Sequence, residues 1–225
     1  DVPTVTVTAD GVLRAPLRSG EITASMAFDV LSMGVGSDGT SGFPLVGVYL
    51  TGRELKAAAE GDASVTPLMP AAQLYMAGLD YSFNTHRMFF NRVTDIQLAQ
   101  RVDFMHSASV TMPDGTQAPP TGGDHVFYED LEDDQLYRVV TGMYSAQMLG
   151  TVKSKSLGLL SLEPKMADGS PVTDFQACIL RDRNGNEIKE WYALAAYLQS
   201  FGEEGVPARY AGPDGRKDVS QSLNP

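Results

Sequence analysis

Polar and apolar residues alternate over positions 4–8, Thr-Val-Thr-Val-Thr, the period-two pattern of a strand with one buried face. Residues 11–20 form a loop punctuated by glycine and proline. After it, Thr23 stands where a helix cap is expected, and Met26, Ala27, Val30 and Leu31 share one face of the helix it would open. The Gly-rich stretch 32–44 cannot stay regular for long. An apolar run at 45–50 has the length of a strand and leads straight into Thr51-Gly52-Arg53-Glu54. That is a capping-box pattern, and it predicts a helix to Glu60 with Gly61 as its stop.

Further along, 73–83, 87–90, 92–98 and 137–143 are rich in aromatic and β-branched residues and predict strands, with a short one at 157–162. Residues 107–136 look like a surface excursion: they hold two Pro/Gly turns and the acidic run 129–134. Residues 177–181 run into the turn signal Asn184-Gly185. The last strong element is a helix over 188–201 with Ile188, Trp191, Tyr192, Ala195 and Leu198 as its apolar stripe and Gly202 at its end. Strands and helices mix without a regular βαβ rhythm and without an internal repeat, which predicts an α+β fold, a layered sandwich of mixed β-sheets and helices. Residues 1–211 read as one domain, and the polar segment 212–225 as a loosely ordered tail.

Charge changes the picture more than composition does. The 225 residues carry a net charge of -11, which repels polyanions and argues against a nucleic-acid polymer as partner. A local basic pocket for one small phosphate ester remains compatible with it. No run approaches the roughly 20 apolar residues of a membrane helix, so no membrane span is predicted. The single cysteine, Cys178, has no partner for an internal disulfide, and its apolar neighbours predict a buried thiol. The sequence starts at Asp1 without a methionine or a signal-peptide pattern, as an excised fragment or a mature exported chain would.

Candidate chemistry is sparse. Gly34-Val35-Gly36-Ser37-Asp38-Gly39 matches the dinucleotide-binding pattern, but a helix is predicted before it and Ser41-Gly42-Phe43-Pro44 follow it, so a substrate-rim or flexible loop fits better. His86, His106 and His125 fall on different predicted segments at no recognised metal-ligand spacing. No nucleophile elbow or Walker loop is present. What remains is an anion and aromatic site. Arg14 and Arg18, in the loop around Pro16, can clamp a phosphate, and two of Tyr75, Tyr81 and Tyr144 can sandwich a planar base. Ordinary surface charges and core aromatics are the plainer alternatives.

The segments also resemble, in order, those of a known family. Gly11-Val12-Leu13-Arg14 followed by Gly20-Glu21-Ile22-Thr23 is similar to the Gly-Gly-Ile-Arg and Gly-x-Ile-Thr segments that open the C-terminal domain of the 5'-nucleotidase/UDP-sugar hydrolase family. Leu31-Ser32-Met33-Gly34 resembles its Leu-Pro-Phe-Gly, and Leu50-Thr51-Gly52-Arg53-Glu54-Leu55-Lys56 its Leu-Thr-Gly-x-Glu-Leu-Lys. Ala77-Gly78-Leu79 resembles Ser-Gly-Leu, and Tyr137-Arg138-Val139-Val140-Thr141 resembles Tyr-x-Val-Val-Thr.

The resemblance implies a substrate-recognition domain with no cofactor of its own. In that family two divalent metal ions and the catalytic His-Asp pair belong to a separate N-terminal metallophosphoesterase domain, the expected partner within the parent chain. It also implies export to the periplasm or outside the cell, and a nucleotide or related phosphate ester as ligand. Carried over by position, Arg14 falls on the phosphate-binding arginine and Tyr144 on the downstream stacking phenylalanine. Arg18, Tyr75 and Gly34 complete the candidate substrate-binding set. Three departures favour an alternative, a stand-alone exported binding module that lost nucleotide binding. The upstream stacking position holds Gln73, an arginine position holds Asp80, and Gln147-Met148-Leu149-Gly150 stands where the family has Gly-Gly-Asp-Gly.

Overall fold

A computed structural model describes residues 2–103, 110–111, 117–118, 124–149, 161–212 and 215–221. In chain order the strands are β1 (Thr4–Ala9), β2 (Leu45–Thr51), β3 (Leu74–Ala77), β4 (Leu79–Asn84), β5 (Val93–Asp103), β6 (Val110–Thr111), β7 (Gln117–Ala118), β8 (Asp124–Asp130), β9 (Leu136–Gly142) and β10 (Lys217–Ser220). The α-helices among the described residues are α1 (Ala24–Val30), α2 (Gly52–Val65), α3 (Met143–Leu149) and α4 (Glu190–Gln199). The fold is α+β, as the sequence predicts.

Two four-stranded mixed sheets carry the architecture, in the orders β2-β9-β1-β3 and β10-β4-β5-β8. In the first, β1 runs parallel to β9 and antiparallel to β3, while β2 is antiparallel to β9. Gly78 joins β3 of the first sheet to β4 of the second. The alternation read from the sequence of β1 is the alternation seen: Val5 and Val7 are buried, Thr4 and Thr6 are exposed. One contiguous core joins Val5, Val46, Val48, Leu50, Tyr137 and Val139 of the first sheet to Leu55 and Ala59 of α2 and to Leu79, Tyr81 and Leu98 of the second. Cys178 is part of it, and burial pushes its thiol pKa up.

The local signals hold where they are specific. Thr23 caps α1, its hydroxyl accepting from the Met26 amide at 3.3 Å. Thr51 and Glu54 form the reciprocal capping box of α2. That helix does not stop at Gly61 but runs four residues further. A mid-helix glycine costs about 1 kcal/mol, and burial of the next two residues, Asp62 and Ala63, outweighs it. Asp62 then accepts from Thr66 Oγ1 at 3.0 Å and from the Leu74 amide at 2.6 Å.

Three other expectations are corrected. Residues 87–90 form a turn rather than a strand, because α2 captures their backbone: Phe90 N–H donates to Ser64 Oγ, and the Arg92 and Val93 amides donate to the Glu60 carboxylate at 2.8 Å each. The expected excursion at 107–136 contributes β8 and the start of β9 to the sheets; β8 takes the free edge of β5. The segment beyond 212, read as a loose tail, contains β10, paired in parallel with β4. Most of the predicted strand at 157–162 lies outside the described residues.

Candidate functional site

Strand directions gather most of the candidate residues at one end of the first sheet. The C-terminal end of β1 leads to Arg14, the N-terminal end of β2 follows the loop 32–44, β3 starts beside Tyr75, and β9 ends just before Tyr144. These four strand ends coincide because β1 and β9 run together and β2 and β3 run against them. Tyr75 lies opposite Thr8, two residues past the Thr6–Val140 pairing of β1 with β9. Two strand spacings, roughly 10 Å, separate β3, which carries Tyr75, from β9, which leads into Tyr144 at the start of α3.

Tyr144 and Gly34 meet through Phe43, a residue that no motif in the sequence marks. The Phe43 ring stacks on Tyr144 with centroids 5.8 Å apart and planes 24° apart. It also fills the space above Gly34, where a Cβ would come within 2.4 Å of the ring. Gly34 adopts φ +81, a left-handed conformation that disfavours any side chain. The only sequence signal for Phe43 is an aromatic residue set among glycines and a proline. Gly34→Ala is expected to cost about 2–4 kcal/mol from backbone strain plus displacement of Phe43, read as a drop in denaturant midpoint with loss of the Phe43–Tyr144 stack.

Arg14 is exposed, its amide tied to Val30 O at the end of α1 (2.9 Å) and its guanidinium to Gly11 O (3.1 Å). Tyr75 is 41% exposed, and its hydroxyl donates to Asp10 at 2.9 Å. Burial, with the Asp10 carboxylate next, raises its phenol pKa. Arg18 stands apart. It lines an open cleft of about 840 Å³ between the segment before α1 and the C-terminal half of α4, whose walls include none of Arg14, Gly34, Tyr75 or Tyr144. Tyr81 is buried in the core and is not a site residue.

The glycine motif at 34–39 has a structural explanation at each position. Gly36 leaves room for the Lys189 ammonium, which would sit 1.8 Å from a Cβ there, and Gly39 takes φ +77 in the turn. Lys189 donates to Asp38 at 2.8 Å and to Glu187 at 2.6 Å, and Ser37 donates to Glu187. The Lys189 hydrogen bond, then that of the Thr40 amide, holds the Asp38 pKa at about 2. Through the buried Lys189 and Glu187 this cluster pins the exposed Ser37 and Asp38 of the site loop to the segment entering α4.

Glu190, the first residue of α4, is 8% exposed, and its amide donates to Phe43 O at 3.0 Å. Its carboxyl lies against Gly142, where a Cβ would fall 2.1 Å from Oε1. No hydrogen bond or ion pair reaches that carboxyl among the described residues. Burial alone lifts its pKa from 4.5 to about 7. The native state therefore keeps a proton that the unfolded chain releases above pH 4.5, so stability falls as pH rises from about 4.5 to 7 and levels off beyond. The loss is on the order of 3 kcal/mol. Glu190→Gln is expected to remove that slope and to be the more stable protein at pH 8, as urea unfolding at pH 5 and pH 8 will read.

Among the described residues no group of three or more His, Cys, Asp or Glu side chains is placed to hold a metal ion. His86 is exposed in the 85–92 turn, the His125 backbone is on β8, and His106 lies outside the described residues. No helix among the described residues is long and apolar enough to cross a membrane.

The two-sheet α+β fold thus brings arginine and aromatic side chains toward one end of its first sheet. Residues 2–152 match the model of the 5'-nucleotidase C-terminal domain, and the chain belongs to that family. The fold is similar to that of a 5'-nucleotidase precursor from Thermus thermophilus, with TM-score 0.60, 21% identity, and coverage of 98% of this chain and 32% of that one. It is also similar to that of the NAD nucleotidase of Haemophilus influenzae, with TM-score 0.51, 15% identity, and coverage of 98% and 30%. This chain therefore spans about a third of the length of these structures. No curated protein matches the sequence.

Proposed function

We propose that this chain is the substrate-binding domain of an exported 5'-nucleotidase-like metallophosphoesterase that hydrolyses nucleotides or related phosphate esters. The observation that carries this reading is the convergence of Arg14, Gly34, Tyr75 and Tyr144 on one end of the first sheet. Arg14 supplies a guanidinium for the ester phosphate, and Tyr144 offers the ring face turned away from Phe43 to the base. Tyr75 flanks the same end, and Gly34 shapes the rim. Arg18, four residues beyond Arg14 in the same loop, adds positive potential as a second basic residue. The two divalent metal ions that drive hydrolysis belong to an N-terminal metallophosphoesterase domain, the partner that receives the bound ester.

Calorimetric titration with adenosine monophosphate tests this. Wild type binds, Arg14→Ala weakens binding about tenfold to a hundredfold, in line with loss of one charge-assisted hydrogen-bonding group, and added Mn2+ or Zn2+ produces no hydrolysis by the chain alone. Turnover by highly purified protein would overturn the division of labour. Two observations favour the second reading, a binding module that has lost nucleotide recognition. Asp80 accepts from Tyr128 on β8 in the second sheet, away from the site end, and one face of Tyr144 is already covered by Phe43. That reading predicts no heat of nucleotide binding in any variant.

A further inference from the structure

The candidate site is flanked by a side chain from far outside the segment matched by the family model. Strand β10 runs parallel to β4, with Lys217 opposite Tyr81. Its ammonium reaches inward to Asp62 Oδ2 at 2.6 Å and to Leu74 O at 2.5 Å. Asp62, 4% exposed, accepts the Leu74 amide through its other oxygen at 2.6 Å. Both backbone polar groups of Leu74 are thus held by the Lys217–Asp62 pair. Leu74 immediately precedes Tyr75, so the pair fixes the backbone from which the Tyr75 ring projects.

Lys217 also touches the ring itself. The ammonium sits over the Tyr75 ring, 5.7 Å from its centroid, and 5.8 Å from that of Tyr81. At the far end the Tyr75 hydroxyl is tied to Asp10. A tyrosine that is 41% exposed would ordinarily sample several rotamers. This one is held at its backbone, at one ring face and at its hydroxyl, with Lys217 providing the first two.

We propose that Lys217 is a positioning residue for ligand binding: it presets Tyr75 so that the uncovered ring face is presented to the nucleotide, and strand β10 is thereby a functional part of the site. This rests on the reading that Tyr75 lines the nucleotide site. A ring already fixed in its bound orientation loses little conformational freedom on binding, so its release appears as weaker affinity without loss of any ligand contact made by Lys217 itself.

Lys217→Met alone strands the buried Asp62 charge and risks unfolding. The charge-balanced pair Lys217→Met with Asp62→Asn keeps a carbonyl acceptor for the Leu74 amide and for Thr66 while removing the ammonium. The full chain is titrated with adenosine monophosphate as wild type, as the double variant, as Tyr75→Ala and as the triple variant. The double variant is expected to lower affinity about threefold to tenfold, and to change it less than twofold when Tyr75 is already alanine. A general structural role would lower affinity equally in both backgrounds and would overturn the proposal. An unchanged affinity in the double variant, with Tyr144→Ala still weakening binding, would overturn it while leaving the site reading intact. Loss of sensitivity to Arg14→Ala and Tyr144→Ala as well would remove both.

Discussion

Replacing Tyr144 by alanine is expected to weaken nucleotide binding about tenfold or more while leaving the fold in place. A base stacked on an aromatic ring is worth roughly 1–3 kcal/mol by alanine substitution, and 1.4 kcal/mol is a factor of ten. The ring is 40% exposed, and its main packing partner is Phe43. Its removal from the core side costs about 0.5–1.5 kcal/mol, the value of one aromatic pair. Phe43→Ala is the contrasting variant. Phe43 packs against the core cluster and covers Gly34, so its loss is expected to lower stability by about 3 kcal/mol as well as affinity. Titration calorimetry beside urea unfolding separates the two. Equal affinity in wild type and Tyr144→Ala would show that the base, if bound, does not stack there.

Lys189→Met is expected to be the most destabilising single change at the site, by about 3–5 kcal/mol. The methionine keeps the apolar stem, and the cluster loses its central cation. Glu187, whose side chain is fully buried, then keeps the Ser37 hydroxyl and, as its one cationic partner among the described residues, Arg181, 3.8 Å away and 46% exposed. In the native protein burial pushes the Glu187 carboxyl pKa up, and the hydrogen bonds from Lys189 and Ser37 more than offset this and hold it below its ordinary value. Without Lys189 only the Ser37 hydroxyl and the distant Arg181 offset the cost of burying that charge. A protein of this size loses roughly 2–4 °C of Tm per kcal/mol, so a fall of roughly 10 °C is expected by scanning calorimetry. The loop from Gly34 to Gly42 is tied to the rest of the chain through Ser37 and Asp38, so nucleotide affinity should fall with it. A variant that melts with wild type would mean that the cluster contributes no net stability.

Local structure was legible where one physical signal sufficed. The Thr-Val alternation of β1, the strand-to-capping-box step at Thr51 and the Thr23 cap depend on neighbours within a few residues, and each is found. Elements decided by distant partners were not. Gly61 reads as a stop until the burial of Asp62 and Ala63 is known. Residues 87–90 have strand composition, but hydrogen bonds to Ser64 and Glu60 of α2 draw the chain around them into a turn. The polar sequence of β10 gives no hint that Lys217 enters a buried pocket 155 residues from Asp62.

The site divides the same way. Arg14, Gly34 and Tyr144 stand out in the sequence through ordered motif resemblance, and their shared location follows from the parallel pairing of β1 with β9. Phe43, Lys189 and Glu190 carry no comparable local signature. Their roles come from a ring stack, a salt bridge spanning 151 residues, and a carboxyl lodged over the absent side chain of Gly142. Arg18 illustrates the opposite limit. Four residues from Arg14 in sequence, it lines the cleft beside α4 instead.

The most direct measurement is a backbone amide shift map of the chain titrated with adenosine monophosphate. Saturable changes are expected at Arg14, at residues 34–43, at Tyr75 and at Tyr144, with β8 and the acidic turn after it unmoved. Saturable changes confined to the Arg18 cleft, or none at millimolar nucleotide, would contradict the proposed site.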